Sequence, residues 1–205
     1  MQRYQLLTQN EIEQIHENSL RIMENIGIHM TYQPAKDLLA KGGAKVDGDT
    51  VYFPKKMVED NLKTVPSSFT MYARNPEKNV YIDTETTAYV GPYGSPFVTD
   101  MDKGRRRGTL EDFNNIVKIC DVLNNIDIQS HISCEPNDVE VSKRPNTMVY
   151  NTMKYSEKPL MGSVFGYETS RQCIELASIP FGGLSAIKEK PVISSIPCTL
   201  TPLSY

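Results

Sequence analysis

Tryptophan is absent from this sequence of 205 residues, and long apolar runs and an excess of one charge are missing as well. No run reaches the roughly 18 apolar residues of a membrane-spanning helix, and the first residues lack the apolar core of a signal peptide. A net charge of -3 leaves no broad basic field for a nucleic-acid backbone. We therefore expect a cytoplasmic protein that binds neither nucleic acid nor membrane.

Cysteine pairs at metal-ligand spacing are also absent. Cys120, Cys134, Cys173 and Cys198 stand far apart, form no CxxC pair and have no flanking histidine at ligand spacing. Neither a metal site nor a disulfide framework is therefore predicted. Free cysteine is among the most buried residue types, so the sequence predicts reduced thiols in the core.

The N-terminal part, residues 1–108, predicts a compact α+β region. Thr8 and Glu11 have the spacing of a helix capping box, and the apolar stripe that follows stops at Gly27. Similar signals predict a second helix that opens at Pro34, a hairpin at Asp47 and Gly48, and a third helix that opens at Pro54. Short β-rich runs follow as far as Val90.

Residues 109–205 change to an alternation of helix and strand. A capped helix opens at Thr109, and three β-rich runs then begin at Ile126, Pro159 and Pro191, 33 and 32 residues apart. Helix-like stretches lie between them, and this spacing is typical of βαβ units with parallel strands. Three strands do not close a barrel, and intact proteins cover an edge strand as apolar as PVISSI. We expect the front part of a longer fold; a small open sheet is the alternative.

Several segments, in their order, are similar to the trimethylamine methyltransferase family: LTQNEIEQIHENSLRIMENIGI, LLAKGGAKVDGDTVYFP, VPSSFTMYARNP and GTLEDFNNIVKICDVLNNID. The similarity extends over nearly the whole chain. It implies an α/β protein in which the N-terminal α+β region precedes the first strands of an incomplete (β/α)8 TIM-type barrel. It also implies a methyltransferase that moves a methyl group from a quaternary or tertiary amine, such as glycine betaine, to the Co(I) corrinoid of a partner protein. This fragment alone would then be inactive.

The resemblance further implies that the chain binds no cofactor directly, because the corrinoid (cobalamin) comes with the partner protein. We also expect the full-length protein to be a homo-oligomer. Some members of the family contain pyrrolysine, and we expect the form without it. A quaternary ammonium already carries its charge, so loss of a methyl group to Co(I) releases a neutral amine without a proton donor. The reaction needs in-line placement, exclusion of water and an aromatic pocket.

The segment GPYGSPF predicts a rigid loop that presents aromatic groups, because its glycines and prolines exclude a helix. Tyr93 and Phe97, with Tyr89 before them, are candidates to line the amine pocket. The alternative is that they only pack the loop on the barrel mouth. The run GRRRG that follows is either a solvated turn or a functional surface, on which Arg105 and Arg106 dock the corrinoid protein or hold a substrate carboxylate.

Other candidates follow from the rule that chemistry in α/β barrels lies at the carboxyl ends of the strands. His131 and Glu135 come after the first β-rich run, Ser163 after the second and Thr199 after the third. The same positions include Phe165, Cys198 and Thr201. Glu135 is the group expected to attract a cation, whereas a hydrogen-bonded core residue is the alternative for His131. No catalytic residue is assigned.

Two other functions remain open from the sequence. A non-catalytic module or sensor would bind the methylated amine without chemistry, and a structural function would make the N-terminal region an oligomerisation surface. S-adenosylmethionine is not an expected cofactor, since no glycine-rich nucleotide loop follows a predicted strand.

Overall fold

The computed structural model describes residues 5–200 and 203–204. Its chain divides into two compact units, of which the first contains the described residues of Met1–Pro66 and Cys198–Tyr205 and the second is Ser67–Pro197. The boundary expected from the sequence, between residues 108 and 109, falls inside the second unit. The reason is that the backbone of residues 89–95 is hydrogen-bonded to that of residues 127–135.

In the first unit, helix α1 spans Gln9–Asn25 and begins with the predicted capping box. The Thr8 hydroxyl accepts the N–H of Glu11, and the Glu11 carboxylate accepts the N–H of Thr8 at 2.7 Å. The bonds that the Glu11 carboxylate accepts from the N–H and the hydroxyl of Thr8 lower the pKa of Glu11. The helix ends before Gly27, whose φ of 78° favours glycine and whose added Cβ would lie 2.8 Å from the Val51 carbonyl oxygen.

Most of the apolar side chains of α1 are left exposed. Leu20 is buried on one face of the helix, at 3% exposure. The isoleucines of the apolar stripe are 41–63% exposed and are Ile12, Ile15, Ile22 and Ile26. Together with Ser19 they recur at alternating steps of three and four residues, the spacing of a narrow coiled-coil seam. We call this set of five residues the α1 stripe.

The rest of the first unit is a small antiparallel sheet with two more helices, as the sequence predicts. Its elements are β1 (Ile28–His29), α2 (Gln33–Lys41), β2 (Lys45–Asp47), β3 (Thr50–Tyr52) and α3 (Lys55–Leu62), with strand order β1-β3-β2. Met30, Ala44 and Val51 form its buried core. The buried Lys36 extends from α2 to the β2–β3 turn, where its ammonium lies 2.6 Å from the Asp49 carboxylate.

The second unit combines two antiparallel strand pairs with a layer of helices. Its strands are β4 (Phe69–Met71), β5 (Val80–Ile82), β6 (Phe97–Asp100), β7 (Gly104–Arg107), β8 (Leu160–Met161) and β9 (Ile193–Ser194). Its helices are α4 (Leu110–Val122), α5 (Arg144–Tyr155), α6 (Tyr167–Ser178) and α7 (Leu184–Ile187), and α4 begins with the predicted capping box at Thr109. Strand β4 pairs with β5, and β6 pairs with β7.

Four extended segments of this unit lie side by side and parallel. Val90 bridges Ile128, Gln129 bridges Leu160, and β8 pairs with β9. The parallel orientation predicted for the three β-rich runs is confirmed, and a fourth segment at Val90 joins them. We call these four segments the parallel sheet. Helices α4, α5 and α6 lie between successive segments along the chain, while closure into a barrel stays a prediction.

Helices α4, α5 and α6 supply the core that covers the parallel sheet. One buried cluster joins Phe113, Val117 and Met148, and another joins Val149, Leu160 and Cys173. Three of the four thiols are buried as predicted, namely those of Cys120, Cys134 and Cys173, and burial raises their pKa values. The prediction is wrong for Cys198, which is exposed.

No helix within residues 5–200 and 203–204 has both the length and the apolar character that a membrane span requires.

Candidate functional site

The carboxyl ends of the parallel sheet gather three of the predicted site residues. Because neighbouring strands run in the same direction, the residues that follow them meet at one edge, the usual place for ligands in α/β proteins. Tyr93 follows the segment at Val90, His131 follows the segment at Gln129, and Ser163 follows β8. We call this the carboxyl edge.

The segment GPYGSPF forms one side of this edge and is tied by its backbone to the neighbouring segment. The bonds run from Gly91 N to Ile128 O at 3.1 Å, from Gly94 N to Ile132 O at 2.8 Å and from Glu135 N to Ser95 O at 2.8 Å. The Ser130 hydroxyl also donates to the Pro92 carbonyl. A Cβ at Gly91 would lie 3.2 Å from the Cys120 sulfur, so glycine permits this close approach. The loop is thus held rigid, with the ring of Tyr93 48% exposed.

His131 is the most unusual polar group of the site. The residue is 1% exposed, and neither ring nitrogen has a hydrogen-bond partner among the described residues. Burial lowers the pKa of His131 to about 4, so the ring is neutral near pH 7. The hydrogen-bonded core histidine considered from the sequence is not what is found. Leaving a buried polar group without a partner costs about 1–3 kcal/mol, and such groups are scarce in native proteins.

Glu135 has its negative charge balanced within the chain. Its carboxylate lies 2.7 Å from Nη1 of Arg144, whose Nε also donates to the Val139 carbonyl at 2.8 Å. Arg144 begins helix α5, so this pair fastens the loop after the second parallel segment to that helix. The role of Glu135 expected from the sequence, attraction of a cation, therefore competes with an existing ion pair.

Ser163 joins strand β8 to helix α6. Its hydroxyl accepts the N–H of Phe165 at 3.2 Å, and its carbonyl accepts the hydroxyl of Ser170 at 3.1 Å. This turn leaves Phe165 64% exposed and Tyr167 69% exposed. The sequence analysis missed Tyr167; the signal was its place at the start of a helix directly after a parallel strand.

Three other predicted residues have different surroundings. Tyr89 lies at the amino end of its segment, where its N–H donates to the Asp127 carboxylate at 2.7 Å. Thr199 belongs to the first unit and is exposed. Phe97 has the guanidinium of Arg105 over its ring, 4.1 Å from the centroid, so a cation of the chain itself covers that face. Thr201 lies outside the described residues.

The run GRRRG is strand β7 rather than a solvated turn, and its arginines differ. Arg106 donates to Asp112 at 2.7 Å and to Asp100 at 3.0 Å. These bonds hold the pKa of Asp112 well below its usual range and that of Arg106 above it. Because Asp112 also belongs to the capping box of α4, Arg106 braces that helix, whereas Arg105 is exposed.

A polar cavity of about 250 Å³ lies at the amino ends of the parallel sheet, lined among others by Lys78, Asp121, Asp127 and Lys158. The Lys158 ammonium donates to the carbonyls of Cys120, Leu123 and Ile126, at 2.7, 2.8 and 2.6 Å. Burial lowers the pKa of this lysine. Its bonds satisfy backbone groups at and after the end of α4, which is a role in stability.

Comparison with known proteins assigns the chain to a family. The family model described as trimethylamine methyltransferase (MTTB) matches residues 1–205. Glycine betaine methyltransferase of Desulfitobacterium hafniense (strain Y51) is 40% identical over 203 residues, which cover 99% of this chain and 42% of that protein. Trimethylamine methyltransferase MttB of D. hafniense (strain DSM 10664 / DCB-2) is 26% identical, over 94% of this chain and 39% of that protein.

A third relative, proline betaine:corrinoid methyltransferase of Eubacterium limosum, is 25% identical over 95% of this chain and 41% of its own length. The chain thus spans about two-fifths of the length of these curated relatives. All three matches run through both units, and so does the family model. The chain therefore belongs to the trimethylamine methyltransferase family.

Proposed function

We propose that the protein carrying this chain is a cytoplasmic methyltransferase that moves a methyl group from a quaternary amine, of the glycine betaine type, to a corrinoid on a partner protein. The observation that carries the proposal is the 40% identity with glycine betaine methyltransferase over 203 residues. The other relatives act, by their names, on trimethylamine, proline betaine and L-carnitine, which are all methylated amines.

The carboxyl edge is the proposed amine site. Tyr93, Phe165 and Tyr167 follow segments of one sheet and keep 48%, 64% and 69% of their surface exposed. Aromatic faces attract a quaternary ammonium by about 0.5–2 kcal/mol each without donating a proton. His131 follows the neighbouring segment of the same sheet, and its neutral, unpartnered ring is the proposed donor of one N–H to an anionic or polar part of the substrate, once the side chains that bury it move aside.

The corrinoid would supply a cobalt nucleophile for the methyl group and arrive with its own protein. The contribution of this chain is then to bind the amine, orient one N-methyl group and exclude water, which raises the rate by placement rather than by acid–base chemistry. Glu135 and Arg144 would act as positioning residues, because they fix the loop that follows His131.

For the fold, we propose that the parallel sheet is the beginning of a (β/α)8 barrel. Support comes from four parallel segments in chain order and from helices α4, α5 and α6, which pack against one another in the same order. We also propose that the complete protein is a homo-oligomer, in which the exposed α1 stripe contacts a second copy.

The test uses the complete open reading frame that encodes this chain. Purified protein is mixed with glycine betaine and cob(I)alamin, and the formation of dimethylglycine is followed together with the change in cobalamin absorbance. We expect both to appear together and to depend on the amine. Methyl transfer from S-adenosylmethionine without a corrinoid would refute the proposal. Tight betaine binding by calorimetry without any turnover would favour a binding module.

A second arm tests the site. His131→Leu is expected to weaken betaine binding at least about tenfold, since the N–H is lost, while Tyr89→Leu, at the amino end of its segment, leaves it unchanged. Equal losses in both variants would place the amine elsewhere.

A further inference from the structure

Strands β6 and β7 form a hairpin at the carboxyl edge that the amine site does not use. The base of this hairpin is fixed, because the side-chain amide of Asn137 donates to the carbonyls of Pro96 and Gly108, each at 3.3 Å. The N–H of Asn137 also donates to the Gly108 carbonyl at 2.9 Å. Asn137 lies in the loop that follows His131, so the hairpin starts and ends beside the proposed amine site.

The register of the hairpin sorts its three arginines onto opposite faces. Phe97 pairs with Arg107, Val98 with Arg106 and Thr99 with Arg105. Side chains alternate along a strand, so Arg106 shares one face with Val98, while Arg105 and Arg107 share the other with Phe97. We call the face that carries Arg106 the inner face, and its charge is neutralised by the ion pairs of Arg106 with Asp100 and Asp112. We call the face that carries Arg105 and Arg107 the outer face.

Among the residues that the structure describes, no carboxylate forms an ion pair with the cations of the outer face. Arg105 and Arg107 lie 4.1 and 5.7 Å from the centroid of the Phe97 ring, and Arg107 donates to the Asn137 side chain at 3.2 Å. Neither arginine, nor Lys103 at the tip, has an ion pair within residues 5–200 and 203–204. The single acidic neighbour at the tip is Asp102, since Asp100 is held by Arg106.

The outer face is also ordered before any partner arrives. Stacking on Phe97 restrains the guanidinium groups, and the Asp100 carboxylate fixes the turn by accepting the N–H groups of Asp102 and Lys103 at 3.1 and 2.6 Å. Met101 at the tip is fully exposed. An arginine already held in place loses less entropy on binding, and an exposed methionine at the tip offers an adaptable apolar contact.

We propose that the outer face of the β6–β7 hairpin is the docking surface for an acidic face of the partner protein that accepts the methyl group. This inference rests on the proposed function and specifies the partner's chemistry. The expectation that Arg105 and Arg106 dock the partner is thereby revised, because Arg106 belongs to the inner face. Lys103 and Arg107 take its place beside Arg105. A partner that approaches here comes to the edge at which the amine is proposed to bind.

The experiment compares charge reversals in the complete protein. Lys103→Glu with Arg105→Glu reverses one charge at the tip and one on the outer face, and the matched control is Lys188→Glu with Lys190→Glu, two exposed lysines that precede β9 at the amino ends of the sheet. Association with the purified corrinoid protein is measured at low and high salt, about 50 and about 500 mM. Methyl transfer to free cob(I)alamin is measured in parallel.

We expect the hairpin variant to associate at least about tenfold more slowly at low salt, with the difference shrinking at high salt, because complementary charge acts mainly on the association rate. Transfer to free cob(I)alamin should be the same in all three proteins. A carbodiimide condenses an amine with a carboxylate to form an amide. Treatment of the wild-type complex with this reagent should join Lys103 to an acidic residue of the partner.

Equal slowing in both variants, or none in either, would overturn the docking proposal. Preferential binding of the outer face to a short oligonucleotide instead of the corrinoid protein would overturn it as well. Absence of transfer to free cob(I)alamin in the wild type would instead refute the proposed function, and the docking proposal with it. Normal methyl transfer with an unchanged association rate in the hairpin variant would leave the proposed function standing and refute only the docking at the hairpin.

Discussion

The two units differ in what they bury. In the first unit the core is a small apolar cluster around Val51, and its buried polar residue among those described is Lys36, which has an ion pair. The second unit buries a series of polar side chains after its strands and along its helices, namely Gln129, Ser130, His131, Ser133, Asn151, Thr152, Ser156, Ser163 and Ser178. Burying polar groups weakens a core unless each is satisfied.

The contrast also holds for exposed apolar groups. The first unit leaves the α1 stripe in contact with solvent, whereas the second exposes aromatic rings at the carboxyl edge. The first pattern is typical of a surface that meets another protein, and the second of a site that meets a ligand. The contrast is consistent with two of the proposals, contact of the α1 stripe with a second copy and binding of the amine at the carboxyl edge.

The largest expected effect is on the free energy of unfolding, at the close contact of Gly108 with Cys134 and Glu135 in the second unit. An added Cβ at Gly108 would lie 2.3 Å from the Cys134 sulfur and 2.9 Å from the Glu135 carbonyl oxygen. We expect Gly108→Ala to lower the free energy of unfolding by about 3 kcal/mol, the upper range for overpacked interiors. Urea denaturation measures this value.

A matched control for that change is Gly43→Ala in the first unit. Its Cβ would meet nothing within 4 Å, although the φ of 104° adds backbone strain. We expect this control to cost about 1 kcal/mol. The close contact also predicts that Cys134→Ala relieves part of the Gly108→Ala penalty. Strictly additive changes in the free energy of unfolding would show that Gly108 and Cys134 are not in close contact.

The next effect is a pH dependence that comes from His131. Its pKa is lowered to about 4 in the folded protein, against 6.5 for an exposed imidazole. Between these values the unfolded chain binds the extra proton, so stability falls as pH decreases from about 6.5 to about 4, by roughly 2–3 kcal/mol. Above pH 6.5 the ring is neutral in both states and contributes no slope.

The measurement compares unfolding at pH 7 and at pH 4.5 for the wild type and for His131→Leu. The variant should lack this part of the acid destabilisation and match or exceed the wild type in stability at pH 7, since it removes an unpartnered polar group. Identical pH profiles would mean that the imidazole is satisfied or solvated, and the contrast in buried polar groups would then lose its strongest member.

Local signals in the sequence predicted many of the elements of both units, and long-range pairing explains most of the failures. Capping boxes at Thr8 and Thr109 act over three residues, so they could be read directly and are confirmed. The parallel partner of Val90 could not be read, because Ile128 is distant in sequence and bridges it through backbone atoms alone. That missed pair is why the boundary was expected at residue 108.

The positions of candidate residues relative to the strands were predictable, but their side-chain partners were not. The rule for strand ends selected His131 and Ser163 correctly as residues of the carboxyl edge. It could not reveal that Arg144 neutralises Glu135 or that Arg105 covers Phe97, because such pairs depend on side chains that only the folded chain brings together. The β-hairpin at GRRRG was missed because its pairing with residues 97–100 is formed by backbone atoms, which the run of arginines does not indicate.

A smaller effect is expected from the Arg144 anchor. Arg144→Ala removes the ion pair with Glu135 and the bond to the Val139 carbonyl, and 15% side-chain exposure limits how much water replaces them. We expect a loss of about 2 kcal/mol in stability, within the range for breaking partly buried charged hydrogen bonds. In the complete protein, kcat should fall more than betaine affinity, because the loop after His131 is displaced.

Glu135→Gln is the companion variant for that anchor. It keeps the shape and one hydrogen bond, so the expected loss is about half as large. A loss of betaine affinity in Glu135→Gln that exceeds the one in Arg144→Ala would contradict the anchor role and return Glu135 to direct contact with the cation.

The smallest effect concerns the first unit and tests its half of the comparison. Ile15 and Ile22 of the α1 stripe are 55% and 41% exposed, so Ile15→Gln with Ile22→Gln should change the stability of the separate protomer by less than about 1 kcal/mol. The buried Leu20→Ala, in the same helix, should lower the free energy of unfolding by about 2–3 kcal/mol.

If the α1 stripe contacts a second copy, the double variant also lowers the mass of the complete protein in light scattering, whereas Leu20→Ala does so only as it unfolds. An unchanged mass together with unchanged stability would contradict the proposed contact of the α1 stripe with a second copy.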